Sequence, residues 1–314
     1  MRRTIILYIS LALVSFSLIL ANPGIAQDKK PASAEPPSPV YAVTFGNGLI
    51  YTSVDANTWT LRNSGVKVPL NSLTFGNNMF VAVGANGTIL TGSKDGLKWT
   101  PVNSSVTDDL WAITFANNKF VAVGADGTVI TSSDGYNWTK TAALSPGQTL
   151  KNIVYGYRDN DYFRIQGYFM TISKNGDIYK SYDGVTWEKE NMKFASNISS
   201  VIYANELFIA VGKNGRIMTS PIGFGEWLSW LDRYSQTMEN LYSITYGGGR
   251  YVSVGANGTI MISDDLSRWT IVDSGTNSDL SAAAYGRGKF IVVGLDGTIL
   301  TSSDGKAWSP AVKK

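Results

Sequence analysis

The chain reads as an all-β protein, a closed ring of seven β-propeller blades, and three observations predict it. A short polar signature ending in tryptophan recurs along residues 41–314, and an Asn-Gly or Asp-Gly pair recurs in step with it. The period lies near 40 residues, the length of a small sheet that cannot bury its own faces and must stack on its neighbours.

Six signatures read Ser-x-Asp-x-x-x-Trp: Ser53/Asp55/Trp59, Ser93/Asp95/Trp99, Ser132/Asp134/Trp138, Ser181/Asp183/Trp187, Ser263/Asp265/Trp269 and Ser302/Asp304/Trp308. The remaining one is degraded to Ser220-Pro221-Ile222 running into Trp227, which spaces successive tryptophans 40, 39, 49, 40, 42 and 39 residues apart. The glycine pairs are Asn47-Gly48, Asn86-Gly87, Asp126-Gly127, Asn175-Gly176, Asn214-Gly215, Asn257-Gly258 and Asp296-Gly297. Two seven-fold markers in register leave coincidence a poor explanation.

Taken from the N-terminus, Arg2-Arg3 and the apolar run Thr4 to Leu20 lead to Gly24 and Ala26, at −3 and −1 of a cut before Gln27. Residues 1–26 are therefore expected to be a signal peptide, and the protein periplasmic, cell-surface or extracellular, with no membrane span in its mature form. Without cysteine there is no lipoprotein anchor. Residues 27–40, rich in Pro, Ala, Ser and Lys, read as a disordered lead. The propeller occupies 41–314. Its first repeat carries strand and hairpin material from Val43 to Ser53 and lacks one strand, while the last continues past Trp308, so the two termini are expected to close the ring together.

The third repeat shows one blade: Leu110 to Phe115 as a strand, Asn117-Asn118 as a turn and Phe120 to Gly124 as the next strand. Asp126-Gly127 makes a tight hairpin, Thr128 to Thr131 runs back, and Ser132–Trp138 makes the last corner before an outer strand. In the signature, a serine hydroxyl and an aspartate carboxylate can accept backbone N–H bonds across a tight turn, while tryptophan seals the blade margin. These residues are read as structural.

The chain has no cysteine and no histidine. That removes disulfides, thiol nucleophiles, imidazole acid–base chemistry and the usual zinc sites; no calcium-loop spacing appears, and no cofactor or metal is expected. The formal charge of +3 falls to +3 − 2 = +1 once Arg2 and Arg3 leave with the signal peptide. No basic block remains, which argues against a nucleic-acid partner.

On its repeated signature the chain resembles the Asp-box (BNR, sialidase-like) propeller superfamily, including exported bacterial propellers and the photosystem II assembly-factor relatives. The superfamily holds glycoside hydrolases as well as non-enzymatic assembly and receptor proteins, so the resemblance does not choose a function. A sialidase of this kind implies three arginines, a tyrosine nucleophile backed by glutamate, an acid/base aspartate and an Arg-Ile-Pro motif ahead of the first signature. Here Phe163-Arg164-Ile165-Gln166 lacks the proline and falls in the fourth repeat. The assembly-factor relatives imply an arginine-rich patch, and no comparable cluster is visible.

No catalytic residue is therefore nominated, and the binding candidates come from departures inside the repeats. The 49-residue spacing marks an insertion around Tyr157, Arg158, Tyr162, Phe163 and Arg164, with the mix of aromatic and arginine residues that interfaces favour. It is expected on the face that carries the signature turns. The fifth repeat loses its aspartate and offers Trp227, Trp230, Arg233 and Tyr234. Trp111, on an inner strand, is expected to face the central channel, where it would stack a sugar or fill space. The favoured reading is a non-catalytic exported propeller binding an envelope or extracellular protein, or a second copy of itself. The alternative is a carbohydrate-active propeller, a glycan binder or a sialidase-like hydrolase.

Overall fold

The computed structural model describes residues 41–314 apart from 142, 145, 160–163, 194–196 and 222–229. Residues 1–40 thus lie outside the description, with the signal peptide and lead expected there. Seven four-stranded sheets form a ring of blades. Blades 2 to 7 span Leu70–Val102, Leu110–Lys140, Leu150–Lys193, Ile198–Arg233, Leu241–Val272 and Leu280–Pro310, each an antiparallel meander running outward strand by strand.

The second strands are rich in apolar residues, as in Phe80-Val81-Ala82-Val83, all four of which are buried. A strand covered on both faces needs apolar residues at every position rather than at alternate ones. The core accordingly lies between blades: Val81 and Val83 of blade 2 pack with Leu110, Ile113, Phe120 and Trp138 of blade 3. At five of the seven Asn-Gly and Asp-Gly pairs both residues take positive φ, as at Asn86 (55°) and Gly87 (66°), while at Asn175-Gly176 and Asp296-Gly297 only the glycine does. A Cβ on Gly87 would overlap the Val106 carbonyl, so the close approach of the next loop needs glycine there.

The signature turns close as their chemistry suggests. Asp134 Oδ1 accepts the N–H groups of Tyr136 and Asn137, both at 2.8 Å, and the Ser132 hydroxyl at 3.0 Å. Ser132 Oγ in turn accepts the Gly135 N–H at 2.8 Å, and Trp138 Nε1 donates to the Gly135 carbonyl at 3.0 Å. Blades 1, 4 and 7 repeat this arrangement at Asp55, Asp183 and Asp304.

Three expectations need correcting. The first is that the signature tryptophans sit at the blade margin. Trp99 and Trp269 are instead buried core side chains, because the preceding blade covers the sheet face on which each lies. Trp99 packs on Phe80, Ala82 and Leu90 of its own blade and on Ala42 and Ile50 of blade 1, and its Nε1 donates to the Gly96 carbonyl at 2.9 Å. Trp269 packs on Tyr251, Met261 and Leu266 of blade 6 and on Ile209 and Val211 of blade 5, with its Nε1 buried and without a hydrogen-bond partner. Neither offers a surface to a ligand.

The second correction concerns blade 5, where Trp230 takes the core position; Trp227 lies outside the described residues. Thr219 pairs with Leu231 as Thr131 pairs with Thr139 and Thr301 with Ser309, each partner directly following its blade's tryptophan. Trp230 is 7 % exposed and packs on Tyr168, Met170, Phe208 and Met218. More residues separate Pro221 from Leu231 than separate the corresponding strands of the other blades, so counting 40 residues from Trp187 stops short of Trp230. Trp230 is thus a core side chain and not part of an exposed strip.

The third concerns the first repeat, whose open position among the described residues is the innermost one. Tyr41 pairs with Ser53 as Phe120 pairs with Ser132 and Phe290 with Ser302, so Tyr41–Phe45 is a second strand. On the outside, Val312–Lys313 adds to Thr58–Arg62 in parallel, after the chain leaves the outer edge of blade 7. The Val312 and Lys314 N–H groups donate to the Asn57 and Trp59 carbonyls at 2.8 Å each. Tyr41, Val43, Phe45 and Trp59 pack on Ala282, Ile291, Val293 and Ile299 of blade 7. This clasp closes the ring.

Candidate functional site

The innermost strands of blades 2 to 7 enclose a cavity of about 430 Å³. At one end the second position of each strand supplies Asn71, Trp111, Lys151, Ser199, Tyr242 and Ser281. Trp111 does face the channel, and Lys151 Nζ stands 5.2 Å from its ring centroid, a cation–π distance. Burial lowers the Lys151 pKa, and the neighbouring charge of Lys174 lowers it further. Tyr242 donates its hydroxyl to Asp279 at 3.3 Å; burial first, then the Asp279 charge, raises the phenol's pKa.

The other end of the channel carries an aromatic ladder that the repeat reading did not single out. Phe75, Phe115, Tyr155, Tyr203, Tyr246 and Tyr285 each stack on the aromatic of their own second strand, with centroids 4.5–5.2 Å apart. Cross-strand register sets these pairs, Phe75 with Phe80 and Tyr285 with Phe290 among them. A Cβ on Gly76 or Gly247 would overlap the ring of Phe115 or Tyr285 from the following blade. The signal was present in the sequence as an aromatic two residues ahead of the inner turn in blades 2, 3, 5, 6 and 7, with Tyr155 set farther back by the longer strand of blade 4.

Among the described residues that line the cavity there is no carboxylate, and Lys151 carries the one charge. No group of three or more Asp or Glu side chains fit to hold a metal occurs among the described residues.

The turns between first and second strands lie beside the signature turns of the next blade. Asn77 Nδ2 donates to the Ser133 carbonyl at 2.7 Å, Lys119 Nζ to the Asp183 carbonyl at 2.7 Å, and Lys289 Nζ to Asn57 Oδ1 at 3.1 Å. The blade 4 insertion extends this same hairpin, with ten-residue strands Leu150–Asp159 and Arg164–Ser173. Arg158 pairs with Ile165 and Asp159 with Arg164 along the backbone. Tyr157 is 56 % exposed, and its carbonyl accepts the Tyr203 hydroxyl. Tyr162, Phe163 and Trp227 fall outside the described residues, as do the side chains of Arg158 and Arg164.

Exposed apolar side chains gather on this signature face: Leu97 on blade 2, Tyr136 on blade 3, and Tyr157, Tyr182 and Val185 on blade 4. Tyr136, Tyr182 and Val185 occupy variable positions of the signature turns, which the repeat reading passed over as filler. Arg233 and Tyr234 stand elsewhere, on and just beyond the outer strand of blade 5. Arg233 Nε donates to Thr219 Oγ1 at 3.0 Å, and Tyr234 is 80 % exposed. The structure therefore separates the sequence candidates into a channel residue, a signature-face group, an outer edge and one core tryptophan.

No family model and no curated protein sequence matches the chain. Solved structures share its fold at low identity. YCF48 from Cyanidioschyzon merolae is 14 % identical, with 83 % of this chain and 90 % of that one covered and a TM-score of 0.64. A YCF48 bound to D1 peptide is 20 % identical over 74 % and 77 %, with a TM-score of 0.58. A virginiamycin B lyase from Staphylococcus aureus, a catalytically inactive histidine-to-alanine form with quinupristin, is 12 % identical over 82 % and 89 %, with a TM-score of 0.66. These likenesses establish a seven-bladed β-propeller. No helix among the described residues is long and apolar enough to cross a membrane.

Proposed function

We propose that this protein is a non-catalytic propeller, exported by residues 1–26, that binds a protein partner through its signature face at blades 2 to 4. The observation that carries this reading is the exposure of three tyrosines and two aliphatic residues there, Tyr136, Tyr157, Tyr182, Leu97 and Val185. Tyrosine supplies large contact area at low entropic cost, and interfaces are enriched in it. The serine, aspartate and tryptophan of each signature hold the turns that present these side chains, in the manner of Asp-box turns. One of the structural neighbours is bound to a D1 peptide, which makes peptide binding a use to which this architecture is put.

A hydrolase is the weaker reading. Glycoside hydrolysis needs two facing carboxylates, and the described channel lining offers none. The lyase neighbour is inactivated by loss of one histidine, and this chain has none. Glycan binding at the channel rests on Trp111 alone, and Lys151 already lies over that ring.

Cross-linking of the protein in native envelopes tests the proposal. Links to one recurring protein from Lys94, Lys98, Lys119 or Lys306, which border the signature turns, support it. Links confined to Lys67 and Lys213 on the opposite face, or none between molecules, count against it.

A further inference from the structure

The third residue of the innermost strand sits at one level around the ring: Ser72, Asn152, Ser200 and Ser243 stand across from Val83, Ile172, Val211 and Val254. In two blades it ties one innermost strand to the next. Ser72 Oγ accepts the Ile113 N–H of blade 3 at 3.0 Å, and Ser243 Oγ accepts the Ala283 N–H of blade 7 at 3.2 Å. Blades 4 and 5 carry residues able to make the same tie and leave it unmade. Asn152 Oδ1 is buried without a hydrogen-bond partner. Among the described residues the hydroxyls of Ser199 and Ser200 make no hydrogen bond. Polar groups left open inside a fold are costly and uncommon.

These open groups share the cavity lining with Lys151, its one charge among the described residues. The Lys151 ammonium stands 5.2 Å from the Trp111 ring centroid, and the ring holds the cation without neutralising it. Lys174, in the turn after the second strand of blade 4, adds a second positive charge close enough to act on Lys151. Among the described residues neither lysine belongs to an ion pair. A cleft with charge of one sign and free hydroxyl donors attracts the opposite sign.

We propose that the channel at blades 4 and 5 is a binding site for a small organic carboxylate. Lys151 is its counter-charge, Ser199 and Ser200 are hydroxyl donors, and Trp111 positions the lysine. A cavity of about 430 Å³ is of the size that small-molecule sites have. Ala112, Ile153 and Val201 make the wall between the polar groups apolar, so the occupant carries carbon as well as charge. One ammonium in the lining matches one carboxylate, whereas a phosphate ester brings about two negative charges. The site lies in the channel and not on the signature face, and it stands whatever partner that face takes.

Reductive methylation with isotope-labelled formaldehyde keeps lysines charged and gives each its own methyl signal. The Lys151 signal, identified by its loss in Lys151→Arg, should move saturably with sodium lactate or sodium benzoate. The Lys67 signal, on an exposed loop remote from the channel, should stay where it is. In calorimetric titration with the same two salts, Lys151→Met should weaken binding at least about tenfold, the loss of one hydrogen bond to a charged group. Lys67→Met should leave it unchanged. No movement at Lys151, equal movement at both lysines, or an equal response to sodium chloride overturns the proposal. A response to inorganic phosphate and to neither carboxylate overturns it too. If Lys151→Met does not fold, the methyl titration of the native chain decides.

Discussion

The hydroxyl of Tyr41 donates a 2.8 Å hydrogen bond to the carbonyl of Gly286, joining positions 245 residues apart across the seam between blades 1 and 7. Most blade contacts here are between sequence neighbours; this one spans nearly the whole chain. The bond is buried, and burial raises the Tyr41 pKa, so the phenol stays a donor through neutral pH. Tyr41→Phe should cost about 1 kcal/mol, the usual net value of a buried hydrogen bond, read as a lowered denaturant midpoint at constant slope.

The second seam element is the C-terminal clasp. Ending the chain at Ala311 removes the bonds from Val312 and Lys314 to Asn57 and Trp59, and the one from Leu61 to the Lys314 carbonyl. A loss of about 2–3 kcal/mol is expected from three backbone hydrogen bonds. Hydrogen exchange should show the increase concentrated in Thr58–Arg62 and not in blades 3 to 5.

Acid should loosen the signature turns. Burial would raise the Asp183 pKa, but the N–H groups of Thr186 and Val185 and the Ser181 hydroxyl outweigh it and hold it down at about 2. At Asp265 the Ser267 hydroxyl leads, followed by the N–H groups of Ser267 and Arg268, again giving about 2. Both folded values lie below the ordinary aspartate value of 3.8. The unfolded chain therefore binds these protons first, and the stabilisation is complete above that pH and drains away between it and about 2. Tm followed from pH 5 to pH 2 should fall through this window. Asp183→Asn should flatten the fall while lowering Tm at pH 7.

Trp230 and Tyr182 should respond oppositely to truncation. Trp230→Ala removes a core indole and should cost about 3–5 kcal/mol. Tyr182→Ala, on an exposed turn, should change stability by less than about 0.5 kcal/mol. Partner capture should follow the reverse order once stability is matched.

Lys180 and Glu190 form an ion pair at 2.9 Å, with the glutamate side chain 6 % exposed. Glu190→Ala leaves a half-buried ammonium with only Glu188 at 3.8 Å, and should cost about 2 kcal/mol in thermal or urea unfolding. Replacing both residues by methionine should recover most of that loss.

The ring was legible because its markers are backbone requirements. Asn86-Gly87 must adopt positive φ and Asp134 must close a turn, so their letters repeat wherever the geometry does. Trp230 was misread because the fifth repeat has two tryptophans, Trp227 and Trp230, and spacing alone does not mark Trp230 as the core residue. The depth of Trp99 and Trp269 was hidden for a related reason, since the blade that covers each one lies outside its own repeat. Blade 1 was visible only as a short repeat; that its first described strand, Tyr41–Phe45, is a second strand needed the Tyr41–Ser53 register. Tyr136 and Tyr182 occupy positions the signature turn leaves unconstrained, so no repeat pattern marks them and only their exposure sets them apart, whereas the 49-residue spacing had already marked Tyr157.

The partner-binding account is tested most directly by placing a photoreactive residue at Tyr157 or Tyr182, on the signature face, and at Met238, exposed on the opposite face, in the native envelope. The account predicts one recurring adduct from Tyr157 and Tyr182 and none from Met238. Adducts from Met238 alone, or the same unselective set from all three positions, would contradict it.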